Sequence, residues 1–292
     1  MREKNIGSKV FDVSNLIFLV LLSACFLVPF LIIFFTSVAT KLDIAQRGPY
    51  ILFPKTFQLD YYKQILYLGS PVFQGYKITL FRITVGTFMN LGVTATLAYG
   101  LSKRSLPFVR VFTVFVFFTM FFNGGLIPTY LVVKLTGLSN RIWALVIPML
   151  VNTWNLLVMR TFFMQLPESL EESAIIDGAG HLQVFLKIII PLSLPAFATI
   201  GLFYAVAHWN SWFDAAIYIN DQSKMPVQNI MRNIVVTMNE QNDDFLLMND
   251  NPPPAEALKS TVIIVSTLPI LAVYPFIQKY FVKGVMVGAI KG

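Results

Sequence analysis

The run LIFLVLLSACFLVPFLIIFFT, Leu16–Thr36, is about 21 residues long and carries no charge. A helix rises about 1.5 Å per residue, so this run covers a bilayer's hydrocarbon core of roughly 30 Å. Arg2, Lys4 and Lys9 precede it, as basic residues precede a signal peptide. The run is longer than the apolar stretch of a signal peptide, about 7–15 residues, and no small-x-small cleavage site closes it. It reads as a retained first membrane helix. Further apolar runs cover Ile78–Leu101, 109–133, Ile142–Phe163, Leu194–Trp212 and Ser260–Tyr280. A segment in lipid has to satisfy its own backbone hydrogen bonds, which selects helices, and continuous rather than alternating apolar residues argue against a β-barrel. The expected fold is an all-α membrane protein of six transmembrane helices.

Composition agrees. Apolar residues make up 56% of the 292-residue chain and charged residues 13%, against about 25% charged in soluble domains. The net charge of +7 is read as a topology and head-group signal rather than as affinity for nucleic acid. Cys25, the single cysteine, allows no disulfide within the chain and is taken as a small buried hydrophobe. With only His181 and His208 beside it, no His/Cys metal cluster is expected. The chain has no Gly-x-x-x-x-Gly-Lys-Ser/Thr phosphate loop, so any ATP hydrolysis belongs to a partner. The spans hold essentially no acids. That disfavours two rivals, a membrane-embedded enzyme and an ion-coupled secondary transporter, both of which need buried ionisable groups. Arg82 is expected to snorkel at the outer end of the second span.

Basic residues cluster in the N-terminus, in the short connection with Lys103, Arg104 and Arg110, and in the C-terminus with Lys279, Lys283 and Lys291. Six spans put all three on one side, so both termini and residues 164–191 are expected in the cytoplasm and 213–259 outside. Residues 1–14 are then a cytoplasmic N-terminus. Trp143, Trp209 and Trp212 fall at the expected outer interface. Asn123-Gly124-Gly125 interrupts the third span, which leaves open one kinked helix or a span followed by a short interfacial helix.

The informative loop begins Leu166-Pro167-Glu168-Ser169-Leu170-Glu171-Glu172-Ser173-Ala174-Ile175-Ile176-Asp177-Gly178-Ala179. Pro167 suits a helix start, Glu168, Glu171 and Glu172 suit the positive end of a helix dipole, and Gly178 suits a left-handed helix stop. A second helical piece follows from His181 to Pro191. The small residues Ser173, Ala174, Gly178 and Ala179 permit close approach by another protein. The bland alternative is an amphipathic connector on the bilayer, which an acidic helix on an anionic leaflet disfavours.

Glu172-Ser173-Ala174, three residues, Gly178, nine residues, Ile188-x-Ile190-Pro191 resembles the EAA motif of binding-protein-dependent ABC importer permeases: Glu-Ala-Ala, three residues, Gly, nine residues, Ile-x-Leu-Pro. Ser173 and Ile190 depart from it, both with residues of similar size. Asp177-Gly178-Ala179, Trp209-Asn210-Ser211-Trp212 and the ending Phe281–Gly292 resemble the sugar-importer branch, the relatives of the smaller maltose permease. Phe122–Tyr130 is similar to the subgroup handling complex oligosaccharides and polysaccharide fragments, alginate among them. The resemblance implies a type-1 transmembrane domain over 15–292 in a bacterial cytoplasmic (inner) membrane. It also implies a homologous second permease, two ATPase subunits that hold the ATP and magnesium, an extracytoplasmic solute-binding protein and a carbohydrate cargo; the chain itself needs no cofactor. By the same resemblance Glu168, Glu171, Glu172, Ser173, Ala174, Asp177, Gly178 and Ala179 form the coupling surface for the ATPase. Gly288, Lys291 and Gly292 reach toward it as well, and Asn249, Asp250 and Asn251, before Pro252-Pro253-Pro254, touch the binding protein unless that run is only a spacer. Asn90, Asn152 and Asn155, with Asn210 and Trp212, are candidates for the translocation path; interhelical glue is the competing reading of the asparagines.

Overall fold

The computed structural model describes residues 6–103, 105–239 and 253–289. Its elements are helical, and one isolated bridge pairs Ala39 with Phe57. In chain order they are α1 (Ile6–Ser37), α2 (Lys41–Arg47), α3 (Asp60–Leu66), α4 (Pro71–Phe81) and α5 (Thr87–Ser102), with a π turn, Arg82–Gly86, joining the last two. There follow α6 (Val109–Phe121), α7 (Leu126–Leu135), 3-10 turns at Ile142–Leu145 and Ile147–Met149, α8 (Thr153–Phe163), α9 (Glu168–Ile176) and α10 (His181–Val184). A second π turn, Phe185–Ile189, leads to α11 (Ile190–Leu192), α12 (Leu194–Asn210), α13 (Phe213–Tyr218), α14 (Val227–Asn239) and α15 (Ala255–Ala289).

Among the described residues, three helices are long and apolar enough to cross a membrane: Gly7–Ser37, Pro71–Ser102 and Ala255–Val273. Three bent pairs pass the same test together: α6 with α7 at 114°, 142–149 with α8 at 51°, and His181–Leu192 with α12 at 81°. The run 109–133 is thus two helices rather than one kinked helix. Gly125 turns left-handed at φ +86° and its N–H is taken by the Asn123 side chain, an Asx turn that competes with the helical ladder. Segment 142–163 is also not one continuous helix. Asn152 sits at its break and N-caps α8, accepting from Asn155 N at 3.0 Å. The expectation that Asn152 and Asn155 lie mid-helix is corrected accordingly.

Two compact units divide the chain. In the first, residues 1–70 and 231–269, the C-terminal turn of α1 meets the following loop. Ser37 Oγ shares a 2.6 Å hydrogen bond with Tyr62, Gln58 N–H donates to Val38 O at 2.9 Å, and Asp43 accepts from Lys55 N–H at 3.0 Å. Upstream, the apolar window of α1 is left uncovered, as a lipid-facing helix requires. Cys25 is exposed on it rather than buried.

The second unit, 71–230 and 270–292, has its main core where α5, α8, the α10–α11 segment and α12 meet. Ala95, Ala98, Leu156, Met159, Ile189 and Ile200 are among its buried residues. Small residues on α5 let the partner helices approach closely. Gly75 does the same at the start of α4: a Cβ there would lie 2.9 Å from Val227 Cα and 2.6 Å from an Ile230 methyl. Backbone cannot yield as a flexible side chain does. We therefore expect Gly75→Ala to lower the thermal unfolding midpoint of the purified, detergent-solubilised protein, with an overpacking cost of about 1–3 kcal/mol. Gly92→Ala, where nothing lies within 4 Å, should leave it unchanged.

Candidate functional site

α9 is built by local rules. Pro167 holds the N-cap at φ −60°, ψ 125°, with Glu168 and Glu171 in the first turn. At the other end Ala179 N–H bonds Ala174 O at 2.9 Å and Gly178 N–H bonds Ile175 O at 3.0 Å. With Gly178 at φ +88°, this pair of bonds is a Schellman stop. Ala174 and Ala179, which bracket it, pack against the main core. The next helix starts at Gly180, whose N–H is met by the Gln183 side chain at 3.2 Å.

The three glutamates of α9 have different surroundings. Glu171 turns inward, pairs with Lys103 at the end of α5, and accepts from the Tyr99 hydroxyl at 3.3 Å. Lys103 in turn lies over the Tyr99 ring, 4.4 Å from its centroid, and Tyr99 packs against Phe185 in a tilted pair with ring centroids 4.9 Å apart. Glu168 and Glu172 stay exposed, with Ser173, Asp177 and Gly178. Glu168, Glu172 and Ile176 recur every four residues and so share one face, and Ile176 is 85% exposed. α9 therefore has an anchored side and a free side that combines carboxylates with a large apolar residue, the mix expected of a protein-docking face.

A second constellation lies in the interior of the same unit. Arg82, in the π turn, is fully buried, against the expectation that it snorkels. Its guanidinium forks onto the Asp214 carboxylate, Nη1 to Oδ1 at 3.3 Å and Nη2 to Oδ2, and Nη1 also reaches Ser211 O at 3.3 Å. Arg82 Nε donates to His208 Nδ1 at 3.2 Å. Nδ1 then carries no proton, so the bonding pattern assigns the neutral tautomer protonated on Nε2, which donates to Asn90 Oδ1 at 2.8 Å. Asn90 Nδ2 donates in turn to the carbonyls of Met149 and Leu150, at 2.7 and 2.8 Å. Gly86 makes room, since a Cβ there would meet His208 Nε2 at 2.6 Å. Tyr204 serves the other strand of the break: its hydroxyl accepts from Asn152 N–H at 3.0 Å and bonds Thr94 at 2.8 Å.

Of the residues singled out for the translocation path, Asn90 is thus consumed by this chain of bonds. Asn210 is exposed and donates to Val206 O on its own helix at 3.0 Å. Trp212 N-caps α13, and its carbonyl accepts from Asn229 at 2.8 Å. Asn152, Asn155, Trp154 and Tyr204 line a cavity of about 410 Å³. Gly288 lies in α15, whereas Lys291, Gly292, Asn249, Asp250 and Asn251 fall outside the described residues. Sequence reading missed the Arg82–Asp214 pair. Its trace is an Arg and an Asp that hydropathy leaves isolated, on either side of 131 residues of chain, so that nothing local joins them.

An all-helical membrane subunit with an acidic helix anchored between successive apolar segments of the chain is a transporter permease in class. No protein-family model matches the chain. It is 45% identical over 287 residues to Protein LplC of Bacillus subtilis (strain 168), covering 98% of this chain and 96% of that one. It is 41% identical over 286 residues to the polygalacturonan/rhamnogalacturonan transport system permease protein YtcP of the same organism, covering 98% and 99%. The crystal structure of a bacterial ABC transporter involved in the import of the acidic polysaccharide alginate contains a chain that superposes with a TM-score of 0.88 at 31% identity, covering 96% of this chain and all of that one. The chain belongs to the permease family of ABC importers, on its sugar branch. It is a multi-pass membrane protein and a transporter permease subunit.

The buried pair makes a sharp prediction. Removing one partner strands a buried charge, at a cost of about 3–5 kcal/mol, whereas replacing both with apolar residues is often close to neutral. Arg82→Met or Asp214→Leu alone should sharply reduce the amount of folded protein recovered from membranes; the double variant should recover most of it. Recovery is measured by size-exclusion chromatography in detergent.

Proposed function

We propose that this chain forms one half of the pore of a binding-protein-dependent carbohydrate importer in a bacterial cytoplasmic membrane. Both termini and residues 164–191 face the cytoplasm, in keeping with the basic clusters around Lys9 and Lys103. Residues 213–259 face outward, where Asn249, Asp250 and Asn251 meet the solute-binding protein. A homologous permease completes the pore. Two ATPase subunits, which hold ATP and magnesium, dock on α9 and are approached by the tail with Gly288, Lys291 and Gly292. The relatives named for polygalacturonan and alginate transport both handle acidic polysaccharides, and we assign an acidic oligosaccharide as cargo here.

One observation carries the coupling role: Glu171 is committed to Lys103 and Tyr99 while Glu168, Glu172 and Ile176 are presented outward. The helix is held to the bundle by one side and offers the other. Movement of a docked ATPase would pass into α5 through the Glu171–Lys103 pair and into α12 through the α10–α11 segment. Alternating access is then a shift in population between inward-open and outward-open pores. Interfacial carboxylates that meet a basic partner lose affinity steeply on charge reversal.

Glu172→Lys should insert and assemble with its partner permease as the wild type does, yet lose at least tenfold in sugar-dependent ATP hydrolysis and in uptake. Proteoliposomes reconstituted with the complete importer measure both. Wild-type rates of both in this variant would remove the coupling role.

A further inference from the structure

The loop that leaves α1 is pinned at several points, yet it turns aromatic side chains outward. The Thr36 hydroxyl, in the last turn of α1, donates to Pro49 O at 3.3 Å and accepts from Ile51 N–H at 3.3 Å. Arg47 Nη1 donates to Phe53 O at 2.8 Å, and the Gln58 amide donates to Ala39 O at 3.0 Å beside the Ala39–Phe57 bridge. Together with the Asp43–Lys55 and Gln58–Val38 bonds, these hold residues 39–58 in one arrangement. Ala39 and Ile51 are buried within it. Tyr50, Phe53 and Phe57 are not: they are 81%, 69% and 69% exposed, with Leu52 half exposed between the first two. A loop free to collapse would cover such side chains; one fixed by hydrogen bonds presents them to a partner.

Two observations say what that partner is. The first is depth. The uncharged run Leu16–Thr36 spans the hydrocarbon core, so Thr36 marks its edge, and the loop pinned to Thr36 lies at head-group level. Phe53 packs on Phe35 of α1 with ring centroids 5.1 Å apart, and Phe35 on Phe34 at 5.5 Å, so a row of rings runs from the uncovered helix into the loop. The second is charge. Lys41, Arg47 and Lys55 are exposed, whereas the one acid among residues 41–59, Asp43, is buried and accepts from Lys55 N–H. Cations beside aromatic rings match phosphate head groups above an acyl boundary.

We propose that residues 39–58 are an interfacial anchor whose partner is the bilayer: Tyr50, Phe53 and Phe57 enter the head-group/acyl boundary, and Arg47 and Lys55 meet the phosphates. An apolar face held in this way sits roughly 5–10 Å into that boundary. The anchor gives α1 something its own sequence lacks. A uniformly apolar helix has no preferred depth or tilt, and interfacial aromatic and basic residues supply one. Because the loop is bonded to the last turn of α1, its depth sets the level at which the helix leaves the membrane.

Depth is read by electron paramagnetic resonance of a spin label in the complete importer, reconstituted in vesicles of phosphatidylethanolamine and phosphatidylglycerol. This chain carries Cys25→Ser and the other subunits are free of cysteine. Tyr50→Cys, Phe53→Cys and Phe57→Cys take the label one at a time. Phe26→Cys, in the uncovered run of α1, gives the hydrocarbon reference, and free label in solution gives the aqueous one. Collision with oxygen relative to a water-soluble nickel chelate should be several-fold greater at the three loop sites than for free label, and lower than at Phe26. A ratio equal to that of free label at all three sites would overturn the anchor and leave the loop in water. Labels shielded from oxygen and nickel alike would overturn it too, and would show a protein on this face: the binding protein if the shielding appears only when it is added, another subunit if not. Should a label at Phe53 disturb its packing on Phe35, the labels at Tyr50 and Phe57 still decide.

Discussion

Two hydrogen bonds from Asn90 to the carbonyls of Met149 and Leu150 hold the interior of this protein together. The helical ladder breaks where the 3-10 turn Ile147–Met149 gives way to α8. In water such a break is cheap, because solvent takes the freed groups. In a bilayer each unsatisfied carbonyl costs several kcal/mol, so a broken helix survives only where protein supplies the partners. Asn90 supplies them on one side of the break and Tyr204 on the other, meeting Asn152 N–H. The orientation of Asn90 is in turn set by the His208 tautomer, and that tautomer by Arg82. The fully buried charge thus fixes a chain of neutral bonds, and Asp214 makes the charge tolerable.

The docking helix depends on the same framework. α5 carries Asn90 and Thr94 in its first two turns and ends at Ser102, next to Lys103, which grips Glu171. Between these points Ala95 and Ala98 are buried against α8, α12 and the α10–α11 segment. A helix of rigid geometry, packed closely along its length through small residues, links the acidic loop to the polar interior. What lies at its two ends is then understandable: a π turn, which leaves room for a neighbouring ring at Gly86, and a cation–π contact with Tyr99 that positions Lys103.

The sequence displayed its class in bulk properties. An uncharged run such as Leu16–Thr36 admits only a helix in lipid, and the Pro167…Gly178 bracket encodes a start and a stop that the Schellman bonds at Ala174 and Ile175 realise. Local rules of this kind act within a turn or two and are visible in one sequence. Breaks inside apolar runs were less legible. Asn123-Gly124-Gly125 could be seen as an interruption, but its 114° bend depends on Gly125 turning left-handed, and the break at 150–152 depends on Asn90, some 60 residues away. Glu168, Glu171 and Glu172 looked equivalent because the helix dipole favours all three; only the position of Lys103 separates Glu171 from the others. Arg82 was misplaced for the same reason. Snorkelling is the default for a lone cation near a span's end, and an Asp 132 positions further on overrides it.

The neutrality of the interior fits the work of a permease. A pore has to bind its cargo well enough to admit it and weakly enough to release it. A bare guanidinium in a low-dielectric passage would hold an acidic sugar by a charge-assisted, bidentate contact, the strongest that side chains offer. Here that guanidinium exists but faces Asp214, Ser211 and His208, so its charge organises the protein and none is left over for the cargo. The Arg82–Asp214 pair thus lets the helix break exist, and it leaves no unpaired guanidinium at the cavity beside that break.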